Sequence, residues 1–335
     1  MKTLVIGQDD VVRLLPMEEC IALMERTFTG LAASGAVIYP RSKVDIDHQK
    51  ILGFMPAYFP AIDKAGIKVT TVYPGNSGTK YHVHQGAVLL FETENGFLQA
   101  VLDAAEITTI RTGAASGLAT KLLAQEGAGD LALIGAGTQG SCHLEAMMKV
   151  RTIRKVRVYD YYPERAAEFA RREALVHNLD IEVSLTVQNA VNQADLICIA
   201  TPAREPVLRG EWVSPGAHIN SVGFGGPASR ELDTGLLVRS RIFVDYRETI
   251  LHDCGDMLLP LKAGEIEECS ILGGLGDILS GSVEGRNNAN DLTLFKSAGV
   301  AVQDLAVADY VYQKALKQGA GCSVTLGGYN LIEQA

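Results

Sequence analysis

Residues 135–140 read Gly135-Ala136-Gly137-Thr138-Gln139-Gly140, a G-x-G-x-x-G run between an apolar segment at 131–134 and a helix-forming stretch through 150. In such a turn the first glycine bends the chain tightly and the second lets backbone approach a pyrophosphate. The third lets helix and strand pack closely. The N-terminus of the following helix, at Thr138 and Gln139, adds free N–H groups and partial positive charge for phosphates. A lone match is weak in a chain with 34 glycines; the flanking strand and helix give it weight, as does Asp160, about 20 residues past Gly140. A carboxylate there suits ribose hydroxyls and repels a 2′-phosphate, so NAD(H) is expected in preference to NADP(H). Thr201, in Ala200-Thr201-Pro202 after the strand-like LICIA, falls where such folds line the second half of the cofactor. The competing explanation is an ordinary glycine-rich turn, with Asp160 as a capping residue before Pro163.

A second group of residues is cationic. Arg41 lies in Arg41-Ser42-Lys43, Lys68 in the strand-like GIKVTTVY, and Arg111 in TTIRTGAAS. A lysine among apolar strand neighbours is costly to bury without a partner, so Lys68 either lies on an exposed strand face or meets an anionic ligand. The small residues around Arg111 admit close approach, and its planar fork suits a carboxylate; a solvated helix arginine is the plainer alternative. His82 and His84 fall on one side of the chain if their segment is extended, and could bind a second carboxylate or donate a proton. Ordinary loop histidines are the alternative, and no third ligand lies nearby to make a metal site.

Together, Ile110-Arg111-Thr112-Gly113-Ala114-Ala115-Ser116, His84-Gln85-Gly86, the glycine turn, the following Val-Tyr-Asp, and Thr293-Leu294-Phe295-Lys296-Ser297-Ala298-Gly299 with its Gln-Asp-Leu-Ala continuation resemble the ornithine cyclodeaminase/mu-crystallin family over nearly the whole chain. The resemblance implies a central NAD(P)-binding Rossmann domain and a substrate and dimerisation domain built from both chain ends. Residues matching Arg41, Lys68 and Arg111 would hold the α-carboxylate of an amino or imino acid. Thr112, Ser221, Val222 and Lys296 would join the cofactor site. Cyclodeaminases carry an aspartate after the fifth strand to manage the substrate amine. Gly225 stands at the matching place, which disfavours cyclodeamination. The expected activity is therefore NAD(H)-dependent reduction of a small imino acid, of ketimine or iminosuccinate type, or the reverse amino-acid dehydrogenation. An ornithine or lysine cyclodeaminase and a non-catalytic, crystallin-like small-molecule binder are the alternatives. Lys68 is the best candidate proton donor, because burial beside Arg41 and Arg111 would depress its pKa towards neutrality.

These residues need elements to hold them. Apolar spacing predicts a helix over 17–34 ending at Gly35, then strands at 51–55, 66–73, 86–92 and 96–103, with Asn95-Gly96 turning the last pair as a hairpin. A helix from 104 leads into strands at 130–134, 155–159, 181–185, 195–199, 217–222 and 241–245, alternating with helices as in a parallel sheet. A long helix over 290–317 is expected to return the chain to the first domain. The fold class is thus α/β: a Rossmann-type doubly wound parallel sheet (residues 116–304) plus a discontinuous α+β substrate and dimerisation domain (1–115 and 305–335). The 335 residues suit two domains, and 47% hydrophobic with 21% charged residues suits a compact soluble chain. The net charge of −9, without basic clusters, argues against nucleic-acid binding. No apolar run approaches the roughly 18 residues that span a bilayer, and the N-terminal run is too short for a signal peptide. The six scattered cysteines read as reduced and structural, and the expected enzyme is a cytoplasmic homodimer acting on a small molecule.

Overall fold

The computed structural model describes residues 2–47, 50–223 and 225–326. It divides into two compact units, one of Met1–Leu23, Ala33–Arg111 and Val300–Ala335, the other of Met24–Ala32 and Thr112–Gly299. The chain begins with β1 Thr3–Ile6, α1 Gln8–Leu14 and α2 Met17–Ser34, then β2 Val37–Ile38, β3 Ser42–Asp45, β4 Ile51–Phe59, β5 Lys64–Val72, β6 His84–Phe91, β7 Leu98–Asp103 and α3 Ala104–Leu123. Gly35 caps α2 in the left-handed conformation at φ +62, as its position after the last apolar repeat suggests.

The sheet of the first unit has the order β16-β1-β7-β6-β5-β4-β2, with β3 also on β4 and β16 at Cys322–Val324. All its pairs are antiparallel except β1 with β7. The Asn-Gly turn joins β6 to β7, with Gly96 at φ +75. Strand alternation sorts the side chains into two faces. Met55, Lys68, Val88 and Leu102 stand in register on the buried face, against which α11 (Ala301–Gln318) packs. Gly66 permits that packing, since a Cβ there would sit 2.5 Å from Leu305 Cδ2. Phe54, Ile67, Val69, Leu89 and Val101 alternate onto the opposite face and are only half-buried.

The second unit continues with β8 Asp130–Ile134, α4 Thr138–Val150, β9 Lys155–Tyr159, α5 Pro163–His177, β10 Ile181–Val183, α6 Val187–Val191, β11 Leu196–Ile199 and β12 His218–Ser221. After α7 Thr234–Arg239 come β13 Ser240–Val244, α8 Arg247–Asp253, α9 Gly255–Lys262, β14 Ile271–Gly274, α10 Leu275–Leu279 and β15 Leu292–Lys296. Every pair in the order β10-β9-β8-β11-β12-β15-β13-β14 is parallel. The strand order reverses between β8 and β11, as in a Rossmann-type doubly wound sheet. Strands buried on both faces, such as Leu196–Ile199 and Leu292–Lys296, supply a core continuous through Ile134, Ile199, Ile219, Val244 and Leu294.

The expected helix over 290–317 is corrected. Leu292–Lys296 is a central strand, fully buried, and α11 begins only at Ala301 after Gly299 turns the chain at φ +76. Five buried residues carry no period that separates strand from helix, and only the β-branched and aromatic content of Leu-Thr-Leu-Phe leans towards strand. All six cysteines are free; four are buried, but Cys269 and Cys322 are exposed and play no part in a core. Among the described residues, no helix is long and apolar enough to cross a membrane.

Candidate active site

Within the first unit, Lys68 projects from the buried face of β5 and Arg111 from α3 within the same unit. Both meet Asp304 on the first turn of α11. Lys68 Nζ forms an ion pair with Asp304 Oδ2 at 2.7 Å and donates to Thr108 Oγ1 at 3.2 Å. Arg111 Nε donates to Asp304 Oδ1 at 3.0 Å and Nη1 to Gln303 Oε1 at 3.2 Å. The side chains of Lys68, Arg111 and Asp304 are 4%, 5% and 1% exposed, so the cluster is almost dry. One carboxylate sets the fork of Arg111 and the amine of Lys68 at once.

Burial lowers the pKa of Lys68 to about 8, with Arg111 and Arg41 pushing the same way against Asp304. Burial pushes Asp304 upward, but Lys68 and Arg111 outweigh it and hold the carboxyl below its ordinary value. Arg41, half-buried, adds its charge to this group. His84 opens β6 with its side chain partly in solvent; desolvation, then the charges of Lys68 and Arg41, lower its pKa. His82 lies outside the strand in an exposed turn, where its carbonyl accepts from Asn76 Nδ2 and Gln85 Nε2. The extended segment that would align the two histidines does not exist, because β6 starts at His84.

Within the second unit, the glycine turn has the geometry its spacing suggests. Gly135 turns at φ +108, and a Cβ there would lie 2.5 Å from Ala200 O. Gly137 faces open space, and Gly140 presses on Gly135 O with Phe169 Cε2 3.3 Å from where its Cβ would be. Helix α4 starts at Thr138 with no side-chain cap, which leaves its first N–H groups for a ligand. Asp160 follows β9, half-buried, accepting from Ala136 N at 2.9 Å and Tyr162 N at 3.0 Å. The Gln139 side-chain oxygen is buried with no hydrogen-bond partner.

Behind the turn, His143 Nδ1 meets Gln139 O at 2.7 Å, and its Nε2 meets Ser116 Oγ at 2.9 Å. A carbonyl only accepts, so Nδ1 carries the proton and Ser116 donates to Nε2 of a neutral ring. Burial lowers this His pKa to about 4. The small residues of the Arg-Thr-Gly-Ala-Ala-Ser motif let α4 lie close: a Cβ on Gly113 would meet Cys142 Sγ at 2.6 Å. Thr112, in the same helix, is buried.

Thr201, Ser221 and Val222 all lie at the carboxyl ends of β11 and β12. Val222 N donates to Ile199 O, whereas Thr201 and Ser221 are both bound to Glu231. Lys296, expected at the cofactor, is wholly buried among Ser221, Gly223, Asp256 and Glu231. Gly225 is exposed, and a Cβ on it would meet Ser229 Cβ and Oγ at 2.5 Å each. Asp304, Gln303, Glu231 and Asp256 were not singled out from sequence. The available signal for the first two was a polar pair, Gln303-Asp304, within the otherwise apolar run of α11.

The ornithine cyclodeaminase/mu-crystallin family model matches residues 1–319. The ketimine reductase mu-crystallin of Mus musculus is 40% identical over 299 residues, 89% of this chain and 90% of that protein. The structure of Thermococcus litoralis Delta(1)-pyrroline-2-carboxylate reductase with NADH and L-proline matches with a TM-score of 0.93 and 36% identity, covering 96% of this chain and all (100%) of that one. An archaeal alanine dehydrogenase dimer with bound NAD matches with a TM-score of 0.91 and 32% identity, over 98% and 100% of the two chains. The chain belongs to the ornithine cyclodeaminase/mu-crystallin family.

Proposed function

We propose that this protein is an NAD(H)-dependent oxidoreductase that reduces a small imino acid to an amino acid, and that runs in reverse as an amino-acid dehydrogenase. The buried Lys68–Asp304–Arg111 cluster carries this reading. Two cations, Lys68 and Arg111, meet the one carboxylate of Asp304, and Arg41 adds its charge near Lys68, so the cluster is electrostatically suited to a substrate α-carboxylate. NADH, when bound, supplies a hydride to the imine carbon. The open face of Gly137, the uncapped start of α4 and the carboxylate of Asp160 fit its pyrophosphate and ribose. Support for NAD(H) also comes from the NADH- and NAD-bound relatives.

The chain's own chemistry is orientation and one proton. Arg111, set by Asp304 and Gln303, offers its remaining N–H groups to the carboxylate. Lys68 holds a proton at Nζ with a pKa of about 8, so it can protonate the substrate nitrogen near neutrality and accept the proton back at higher pH. Gly225 offers no carboxylate for a released amine, and Ser229 occupies the space a side chain would need. This favours net reduction over cyclodeamination. His84, near Lys68 and Arg41, would favour a second carboxylate on the substrate. In this reading two copies pair through the half-buried apolar face of Phe54, Ile67, Val69, Leu89 and Val101, and the six free thiols suit the cytoplasm. The test is a screen of cyclic imino acids, iminosuccinate, and α-keto acids with ammonia against NADH and NADPH. NADH oxidation with at least one of them is expected; none with any of them would refute the reading.

A further inference from the structure

The Lys296 amine has three donors, and the structure accounts for all three. Nζ lies 2.9 Å from Ser221 Oγ, 2.9 Å from Gly223 O and 2.8 Å from Asp256 Oδ2, with Glu231 Oε2 at 3.5 Å. The side chain is 0% exposed, so no donor remains for a ligand. Glu231, also buried, is filled from the other side. Its Oε1 accepts from Thr201 N at 2.7 Å and Thr201 Oγ1 at 2.8 Å; its Oε2 accepts from Ser221 Oγ at 2.9 Å and Gly223 N at 2.8 Å. Asp256 Oδ1 in turn accepts from the backbone N–H groups of Glu231 and Leu232. Because Lys296 donates to Ser221 Oγ, the Ser221 hydroxyl proton is directed at Glu231. Burial opposes charge on Lys296, but Asp256, Cys254 and Glu231 outweigh it and keep the amine protonated.

These bonds tie together the segments that leave β11 (Thr201) and β12 (Ser221 and Gly223), with Lys296 at the carboxyl end of the neighbouring β15. A dinucleotide on this fold crosses the carboxyl ends of the strands where their order reverses, between β8 and β11. Asp160, after β9, marks the side of the adenosine ribose. The nicotinamide half must then lie over the β11 and β12 ends, which are the ends that Lys296 and Glu231 hold.

We infer that Lys296, with Glu231 and Asp256, is a positioning group that shapes the nicotinamide subsite without touching the cofactor. It corrects the expectation that Lys296 binds the cofactor itself, and it rests on the NAD(H) reading above. Removing the hub frees the loops after β11 and β12 but leaves the glycine turn and Asp160 in place. Binding of the nicotinamide half should therefore suffer, while binding of the adenosine and pyrophosphate portion should not.

The experiment compares dissociation constants of the whole protein for NADH and for ADP-ribose, which lacks nicotinamide. For Lys296→Met the expected result is an NADH constant raised about tenfold or more with the ADP-ribose constant within twofold of wild type. Ser221→Ala, which cuts only the Lys296–Ser221–Glu231 relay, carries the same test with a smaller shift should Lys296→Met fail to fold. If both ligands weaken in parallel, or neither changes, the inference is overturned and the cluster is only structural. A wild-type protein that binds neither ligand would overturn the cofactor reading instead.

Discussion

In the proposed reaction Lys68 is the proton donor, and Asp304 is the carboxylate that sets its charge. With a pKa of about 8, Lys68 is mostly protonated at neutral pH. Imine reduction, which needs the acid form, should fall as pH rises through about 8. Amino-acid oxidation, which needs the base form, should rise over the same interval. Lys68→Met should cost about 10²- to 10⁴-fold in kcat for reduction while the NADH dissociation constant stays near wild type, checked by steady-state kinetics beside direct binding. Asp304 raises the Lys68 pKa, so Asp304→Asn should move the alkaline limb of the reduction profile to lower pH. A limb that stays in place would mean that Lys68 is not the group titrating. The cations themselves were readable in sequence, since a lysine in an apolar strand and an arginine among small residues are unusual. Asp304 was not, because its partners lie far along the chain and nothing local marks a carboxylate at the start of a terminal helix as theirs.

At the scale of elements, the turn between β8 and α4 separates two kinds of glycine. A Cβ at Gly137 would meet nothing in the protein, whereas one at Gly140 would run into Gly135 O. Gly137→Ala should keep stability and lose cofactor affinity; Gly140→Ala should lose affinity and also about 1–3 kcal/mol of stability, read from urea unfolding beside NADH titration. The same turn is braced by neutral His143, with a pKa of about 4, while burial first, and then Arg286, depress His218 at the start of β12 to about 3. The unfolded chain takes up these protons near the ordinary value of 6.5, so it binds more protons than the folded chain across the window from there down to about 3–4. Stability should therefore decline on acidification from pH 6.5 to 5, above the range where most carboxylates titrate, and His143→Gln should blunt the decline. An urea midpoint independent of pH across that interval would contradict this. The glycine turn was legible because its spacing is local. Strand β15 was not: five residues buried on every side have no polar face to set a period, and its neighbours in the sheet come from distant sequence.

For the whole molecule, sequence pattern recovered the class of both sheets, the alternation in the second and the hairpin in the first. It missed the short strands β1, β2, β3, β14 and β16, and it missed what is long-range: where β15 inserts, and which carboxylates meet Lys68, Arg111 and Lys296. Those pairings depend on topology, which no window of residues contains. The reading as a reductase instead of a cyclodeaminase rests on the lack of a side chain at Gly225. The most direct measurement is the stoichiometry of the cofactor. With deuterium at the transferable position of NADH and a cyclic imino acid as substrate, the account expects one NADH oxidised per amino acid formed, with deuterium on the α-carbon. Ammonia release from ornithine or lysine without net change in NAD(H), and no NADH oxidation by imines, would contradict it.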